Sequence, residues 1–164
     1  MEQTEKVTYG AKDFLRSVRT ARIEKRRCED RLAELRAQCE KTTPTYNASP
    51  CGGGDSHKDA LIIAAAEQEG KLRRKKAAYL RQIDAVEDFI AALPDAKHRS
   101  ILRLRFVDGL GWPAVNEELH EYGLYYEERQ MFRLYGIALS EARRRFPAYA
   151  AEHPEILPEG AEAV

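Results

Sequence analysis

Apolar and polar positions follow a rhythm that changes several times along the chain. From residue 11 to 40 the small or apolar residues Ala11, Phe14, Val18, Ala21, Cys28, Leu32, Leu35 and Cys39 recur at alternating steps of three and four, and only Lys25 interrupts them. That seam, with Arg, Lys and Glu on the other positions, predicts one long coiled-coil-like helix. A second seam runs from 58 to 93 through Ile62, Ala65, Leu72, Tyr79, Ile83, Val86, Ile90 and Leu93, broken by Glu69 and Lys76. Two helices of similar length with matching seams predict an antiparallel helical hairpin. Lys25, Glu69 and Lys76 would then set its register at some cost in stability. Pairing of the same seams between chains, as a homodimer, satisfies the pattern equally. The intervening residues 41–57 are rich in Thr, Pro, Ser and Gly and predict a loop centred on Gly52, Gly53 and Gly54. Asp55 or Ser56 is expected to cap the second helix. The loop lacks the Gly-Lys-Ser/Thr ending of a phosphate-cradling loop, so phosphate binding is not expected there.

Past Leu93-Pro94-Asp95 the elements shorten. A helix is expected from Asp95 to Val107, with Ile101, Leu102, Leu104 and Phe106 apolar, then a turn at Asp108-Gly109-Leu110-Gly111. Pro113 suits the first turn of a helix reaching Glu121, with Val115 and Leu119 facing inward. After a break at Tyr122-Gly123-Leu124, a final helix from Tyr126 to Phe146 presents Met131, Leu134, Ala138, Leu139 and Ala142 on one face. Pro147, Pro154 and Pro158 predict a tail that frays after Phe146. The expected architecture is all-α: an arm (1–10), a hairpin (11–93, loop 41–57), a compact helical segment (94–146) and a tail (147–164). Helix, short helix, turn, longer helix is the order of a helix-turn-helix domain.

Composition narrows the class. The longest apolar run, Ala60 to Ala66, is seven residues, where a membrane span needs about 20. The opening MEQTEKVTYG has no apolar core of the kind a secretory signal requires. Three cysteines, an odd number, point to reduced thiols in the cytoplasm rather than a disulfide framework. The net charge is zero but unevenly spread: residues 1–92 carry +3, residues 93–146 carry +1 and residues 147–164 carry −4. No block is basic enough to indicate nucleic acid by charge alone, so any such role rests on pattern.

That pattern lies in the last helix. Tyr126, Glu127, Arg129, Gln130 and Arg133 cluster at its start; Arg can donate two bonds to guanine, Gln can pair with adenine, and Glu can accept from cytosine. Arg143, Arg144 and Arg145 follow, suited to phosphates and equally to the negative end of the helix. Trp112 reads as a core wedge between the two short helices. Lys71, Arg73, Arg74, Lys75 and Lys76 read as a solvated helix face, and Cys28 and Cys39 as small core residues. Cys39, Cys51 and His57 form no CxxC pair and have no fourth ligand, so no metal site is expected. His98, His120 and His153 are scattered with no nucleophile or paired carboxylate at interpretable spacing, so neither catalysis nor a cofactor is indicated.

The string Arg103-Leu104-Arg105-Phe106-Val107-Asp108-Gly109-Leu110-Gly111-Trp112, with Val115 and Leu119, resembles the entry to sigma-70 region 4. Glu128-Arg129-Gln130-Met131-Phe132-Arg133-Leu134-Tyr135-Gly136-Ile137-Ala138-Leu139 is similar to the recognition helix of a phage family described as sigma-70 region 4-like. The resemblance covers residues 11–146 and implies a small phage or prophage transcription regulator that binds double-stranded DNA. RNA polymerase is a further implied partner. Three departures are visible: Val115 to Met131 spans sixteen residues, longer than usual in that family; Asn116 stands where a small residue normally packs; and Glu127 and Glu128 lie where DNA phosphates would repel them unless one accepts from cytosine. Nothing resembles sigma region 2, so promoter melting is not implied. Two rival expectations remain: a helical protein that binds polymerase without touching DNA, and a small terminase-type packaging subunit.

Overall fold

The computed structural model describes residues 7–42, 55–159 and 161–164, with side chains described for 8–40, 62–159 and 161–164. It is mostly helical. In chain order the elements are β1 (Val7–Tyr9), α1 (Ala11–Thr42), α2 (Asp55–Ala91), α3 (Ala96–Leu102), a π-helical turn (Arg103–Val107), α4 (Trp112–Glu121), α5 (Glu128–Glu152), a 3-10 turn (Pro154–Ile156) and β2 (Ala161–Ala163). The loop glycines, Cys51 and the side chains of Asp55, Ser56 and His57, where the sequence predicts a loop, a helix cap and no metal site, lie outside the described residues. Among the described residues, no helix is long and apolar enough to cross a membrane.

The chain forms two compact units, one of residues 1–21 with 81–164 and the other of residues 22–80. The boundaries fall inside α1 and α2, so the first turns of α1 and the last turns of α2 share a core with the short helices. That core is aromatic. Phe14 of α1, Phe89 of α2 and Phe146 of α5 are all buried, with ring centroids 5.4 to 5.8 Å apart. Tyr9 lies 6.3 Å from Phe146, and Tyr149 lies 4.9 Å from Phe89. Edge-to-face rings at this range contribute about 0.5–1.5 kcal/mol per pair beyond their burial.

In the unit of residues 22–80, Cys28, Leu32 and Leu35 are buried on the α1 seam. The charges that break the two seams are paired. Glu29 accepts from Lys76 at 2.7 Å and lies 3.8 Å from Lys25. Glu69 is held by Arg36 at 3.1 Å and Arg73 at 2.7 Å. Positions 29 and 36 on α1 thus meet 76 and 69 on α2, one number rising by seven as the other falls by seven. Cys39, expected in the seam, is exposed. Ile62 is exposed as well, and the position opposite it, 43, lies outside the described residues.

These pairs make the unit acid-sensitive. Lys76 first, then Lys25, holds the Glu29 carboxyl below its ordinary value, and Arg36 with Arg73 does the same to Glu69. A depressed carboxylate contributes stability that is complete above its unfolded pKa and is lost as pH falls through the folded one. Helicity should therefore begin to fall as the pH drops below about 5. The double variant Glu29→Gln with Glu69→Gln should show a shallower fall by circular dichroism; an identical acid profile would mean that the pairs contribute nothing.

Three expectations for the carboxyl-terminal half are corrected. The helix expected to reach Val107 is α-helical only to Leu102. The next turn is π-helical, closed by Asp108 N–H donating to the Arg103 carbonyl at 2.9 Å, and it ends on Gly109 at φ +71°, a conformation that costs only glycine nothing. The tail does not fray at Phe146: α5 continues through Pro147 to Glu152. Proline removes one N–H and crowds the carbonyl four residues earlier, but Pro147 sits on the solvent side while Phe146 and Ala150 are buried. At Ala161–Ala163 the chain forms β2, which pairs in parallel with β1, Val7 opposite Ala161 and Tyr9 opposite Ala163. The arm and tail thus add a two-stranded sheet to the expected all-α architecture.

Candidate functional site

The segment that was expected to carry function is built around α5. Its buried face is Met131, Ala138, Leu139, Ala142, Phe146 and Ala150, with Leu134 and Tyr135 half-buried. It packs mainly on α3, while α4 lies against α3 and the π turn. α4 is anchored by buried Val115 and Leu119. It ends in a glycine-type cap: Leu124 N–H donates to the Leu119 carbonyl at 2.8 Å and Gly123 N–H to that of His120 at 2.9 Å. Gly123 takes φ +75°, as the residue after such a helix end must. The connection to α5 is then Tyr122–Glu127, the longer turn that the spacing from Val115 to Met131 required.

Trp112 is half-buried at the start of α4. Its ring lies edge-on to Phe132 at 4.9 Å and Tyr135 at 4.8 Å, both on α5, and the Arg105 guanidinium sits 4.8 Å over it. Arg105 also donates to the Leu110 carbonyl at 2.7 Å. The tryptophan therefore joins the last turn of the expected third helix, through Arg105, to α5 as well as to its own α4.

The residues singled out on α5 divide into engaged and free groups. Tyr126 lies before the helix, which begins at Glu128 instead of Tyr126. Glu127 is its N-cap, and Gln130 turns back so that its side-chain oxygen accepts from the Glu127 backbone N–H at 3.2 Å, one arm of a capping box. Glu127 and Gln130 are thus engaged with each other at the start of the helix, and both remain exposed. Arg144 and Arg145 both donate to Glu141, at 3.0 and 2.7 Å, and Arg145, then Arg144, lowers the Glu141 carboxyl below its usual range. Arg129, Arg133 and Arg143 are exposed and, among the described residues, have no ion-pair partner.

Arg129, Arg133, Gly136, Ser140 and Arg143 follow one another at helical steps of four, three, four and three, so they form one stripe opposite the buried face. All five are exposed. A Cβ at Gly136 would meet nothing within 4 Å, and Ser140 bonds back to the Gly136 carbonyl at 2.9 Å. The stripe is therefore flat in the middle and cationic at both ends, bordered by Phe132 and Ile137, 40% and 49% exposed. Gly136 and Ser140 were not singled out from the sequence; their spacing from Arg133 is the signal that would have found them. Across the turn the charge is reversed: Glu117, Glu121, Glu127 and Glu128 are exposed beside Tyr122 and Tyr125.

Asn116 and His98 each hold a buried polar atom, Oδ1 and Nδ1, with no hydrogen-bond partner. An unpaired buried carbonyl oxygen costs about 1–3 kcal/mol. Asn116→Ala should therefore leave stability unchanged or raise it by about 1 kcal/mol, read as a higher urea midpoint; a clear loss would show that the amide has a partner in solution. Among the described residues no cluster of three His, Cys, Asp or Glu could hold a metal ion. No family model, curated protein or solved structure matches the chain.

Proposed function

We propose that the chain is a cytoplasmic, phage-type DNA-binding transcription regulator, with α4 and α5 as a helix-turn-helix and α5 lying in the major groove. The observation that carries this reading is the stripe of three arginines, Arg129, Arg133 and Arg143, unpaired among the described residues, on the solvent face of a helix whose opposite face is buried in an aromatic and aliphatic core. Arginines at both ends of a flat helical face can reach base edges and flanking phosphates together. Arg144 and Arg145 add positive charge, tempered by Glu141. The α1–α2 seams serve as an antiparallel hairpin, through which a homodimer or an RNA polymerase contact would form; a symmetric dimer would then read half-sites about one helical turn apart. The resemblance to sigma-70 region 4-like phage proteins points the same way.

The test is a gel shift of the folded protein against tiled fragments of the DNA flanking its own gene, repeated at rising salt. Selective retardation of one fragment, with affinity falling steeply as salt rises, is the expected result. No shift at low salt would remove direct DNA reading. Glu141→Gln is expected to raise affinity about three- to tenfold and steepen the salt dependence, because it deletes a negative charge and frees two guanidiniums; an unchanged salt slope would take Arg144 and Arg145 out of the interface.

A second reading, a polymerase-binding protein with no DNA contact of its own, is favoured by the acidic, tyrosine-bearing turn and by the engagement of Glu127 with Gln130. It predicts that polymerase binding survives loss of Arg129 and Arg133. A terminase-type subunit predicts a ring oligomer, which light scattering separates from a monomer or dimer.

A further inference from the structure

A cavity of about 290 Å³ opens between the end of α2, α3 and the π turn, close to the lower limit of small-molecule pockets, about 300 Å³. Its apolar wall is Ile90 and Ala91 of α2 with Val107 of the π turn, and Ile90 and Val107 are buried. Three charged groups line it. Arg99 is already committed, its Nη1 donating to the Leu93 and Pro94 carbonyls at 2.6 and 2.9 Å, so its charge answers the negative end of α2. Glu87 and Arg103 line the same cavity from opposite elements and, among the described residues, have no hydrogen-bond or ion-pair partner, including each other. The Ser100 hydroxyl is spent on the Ala96 carbonyl at 3.0 Å. Among the described residues the site thus offers one cation and one anion without a partner, and an apolar wall within a turn of each, since Ile90 and Ala91 follow Glu87 by three and four residues and Val107 follows Arg103 by four. Isolated π turns are rare and recur at functional sites.

We propose that this cavity binds a small zwitterion with an apolar body, of the class of a free aliphatic amino acid, its carboxylate on Arg103, its ammonium on Glu87 and its side chain against Ile90, Ala91 and Val107. A simple anion would leave Glu87 as a repulsive neighbour, and a simple cation would leave Arg103 so; only a ligand bearing both charges pairs each group. The inference is independent of DNA binding, because none of these residues is on the α5 stripe.

The experiment is isothermal calorimetry of the full chain with leucine, N-acetylleucine, which lacks the ammonium, and leucinamide, which lacks the carboxylate. Leucine is expected to bind with Kd near about 1 mM or tighter, and each analogue about tenfold more weakly, the factor of one lost charge-assisted bond. Arg103→Gln should remove the preference for leucine over leucinamide, and Glu87→Gln the preference for leucine over N-acetylleucine; the two variants check each other if one is poorly folded. Absence of leucine binding up to about 10 mM overturns the proposal. So does N-acetylleucine or leucinamide binding as well as leucine, which would make the cavity a plain anion or cation site.

Discussion

Phe146→Ala is expected to cost about 3–5 kcal/mol, the range for emptying a buried aromatic position. The ring is fully buried and touches rings from three other segments of its unit: Tyr9, Phe14 and Phe89. No single neighbour can move to fill the void, because each belongs to a different element. Urea unfolding should show the loss as a lower midpoint. Phe132→Ala, which trims a ring already 40% exposed, should cost far less, and Phe146→Leu should lie between the two and keep the measurement in range. A loss below about 1 kcal/mol for Phe146→Ala, the level of an ordinary substitution, would mean that these rings are not the core of the unit.

The second large effect is on binding. Arg129→Ala combined with Arg133→Ala should weaken binding to the selectively shifted fragment by about 30-fold or more, since each arginine contact to a base edge is worth about 1–3 kcal/mol. Thermal stability should not change, because both side chains are exposed and their removal strands no buried partner. Arg144→Ala, whose guanidinium is shared with Glu141, should lose much less. Full affinity in the double variant would show that the exposed face of α5 is not the surface that meets DNA.

The helices and their apolar faces were legible because a long periodic seam has few alternatives: Phe14, Val18, Leu32, Val86 and Ile90 are buried as the pattern required. The breaks in the seams were legible too, since Glu69 and Lys76 do find partners on α1. Phe146 and the tail were not. A proline following an apolar residue looks like a stop, and only tertiary burial of Phe146 and Ala150 explains why α5 runs on. The pairing of Val7–Tyr9 with Ala161–Ala163 joins segments too short and too distant to carry a local signal. At the candidate site, the exposed arginines could be read from helical position alone. The engagement of Glu127 and Gln130 could not, because the usual capping signature begins with Ser or Thr, and a Glu in that place looks like a free surface charge. The π turn leaves no periodic trace at all, since five residues are too few to shift a pattern.

The division of the two units along the sequence has a consequence for synthesis. Residues 22–80 form one compact unit nested within the residues of the other, so as the ribosome proceeds the inner unit is complete while the outer one still holds only its first segment. Phe14 is made early, yet its partner Phe146 is 132 positions later, which at about 5–20 residues per second is a wait of roughly 7–26 s. Until α2 brings Phe89, an amphipathic stretch carrying Phe14, Leu15 and Val18 has no ring to close over it, and until α5 brings Phe146 its cover is incomplete. Chaperone capture of nascent chains should therefore concentrate on the amino-terminal twenty-odd residues and cease once α5 has emerged, and slowing translation between α2 and α5 should raise aggregation without altering the stability of the finished protein.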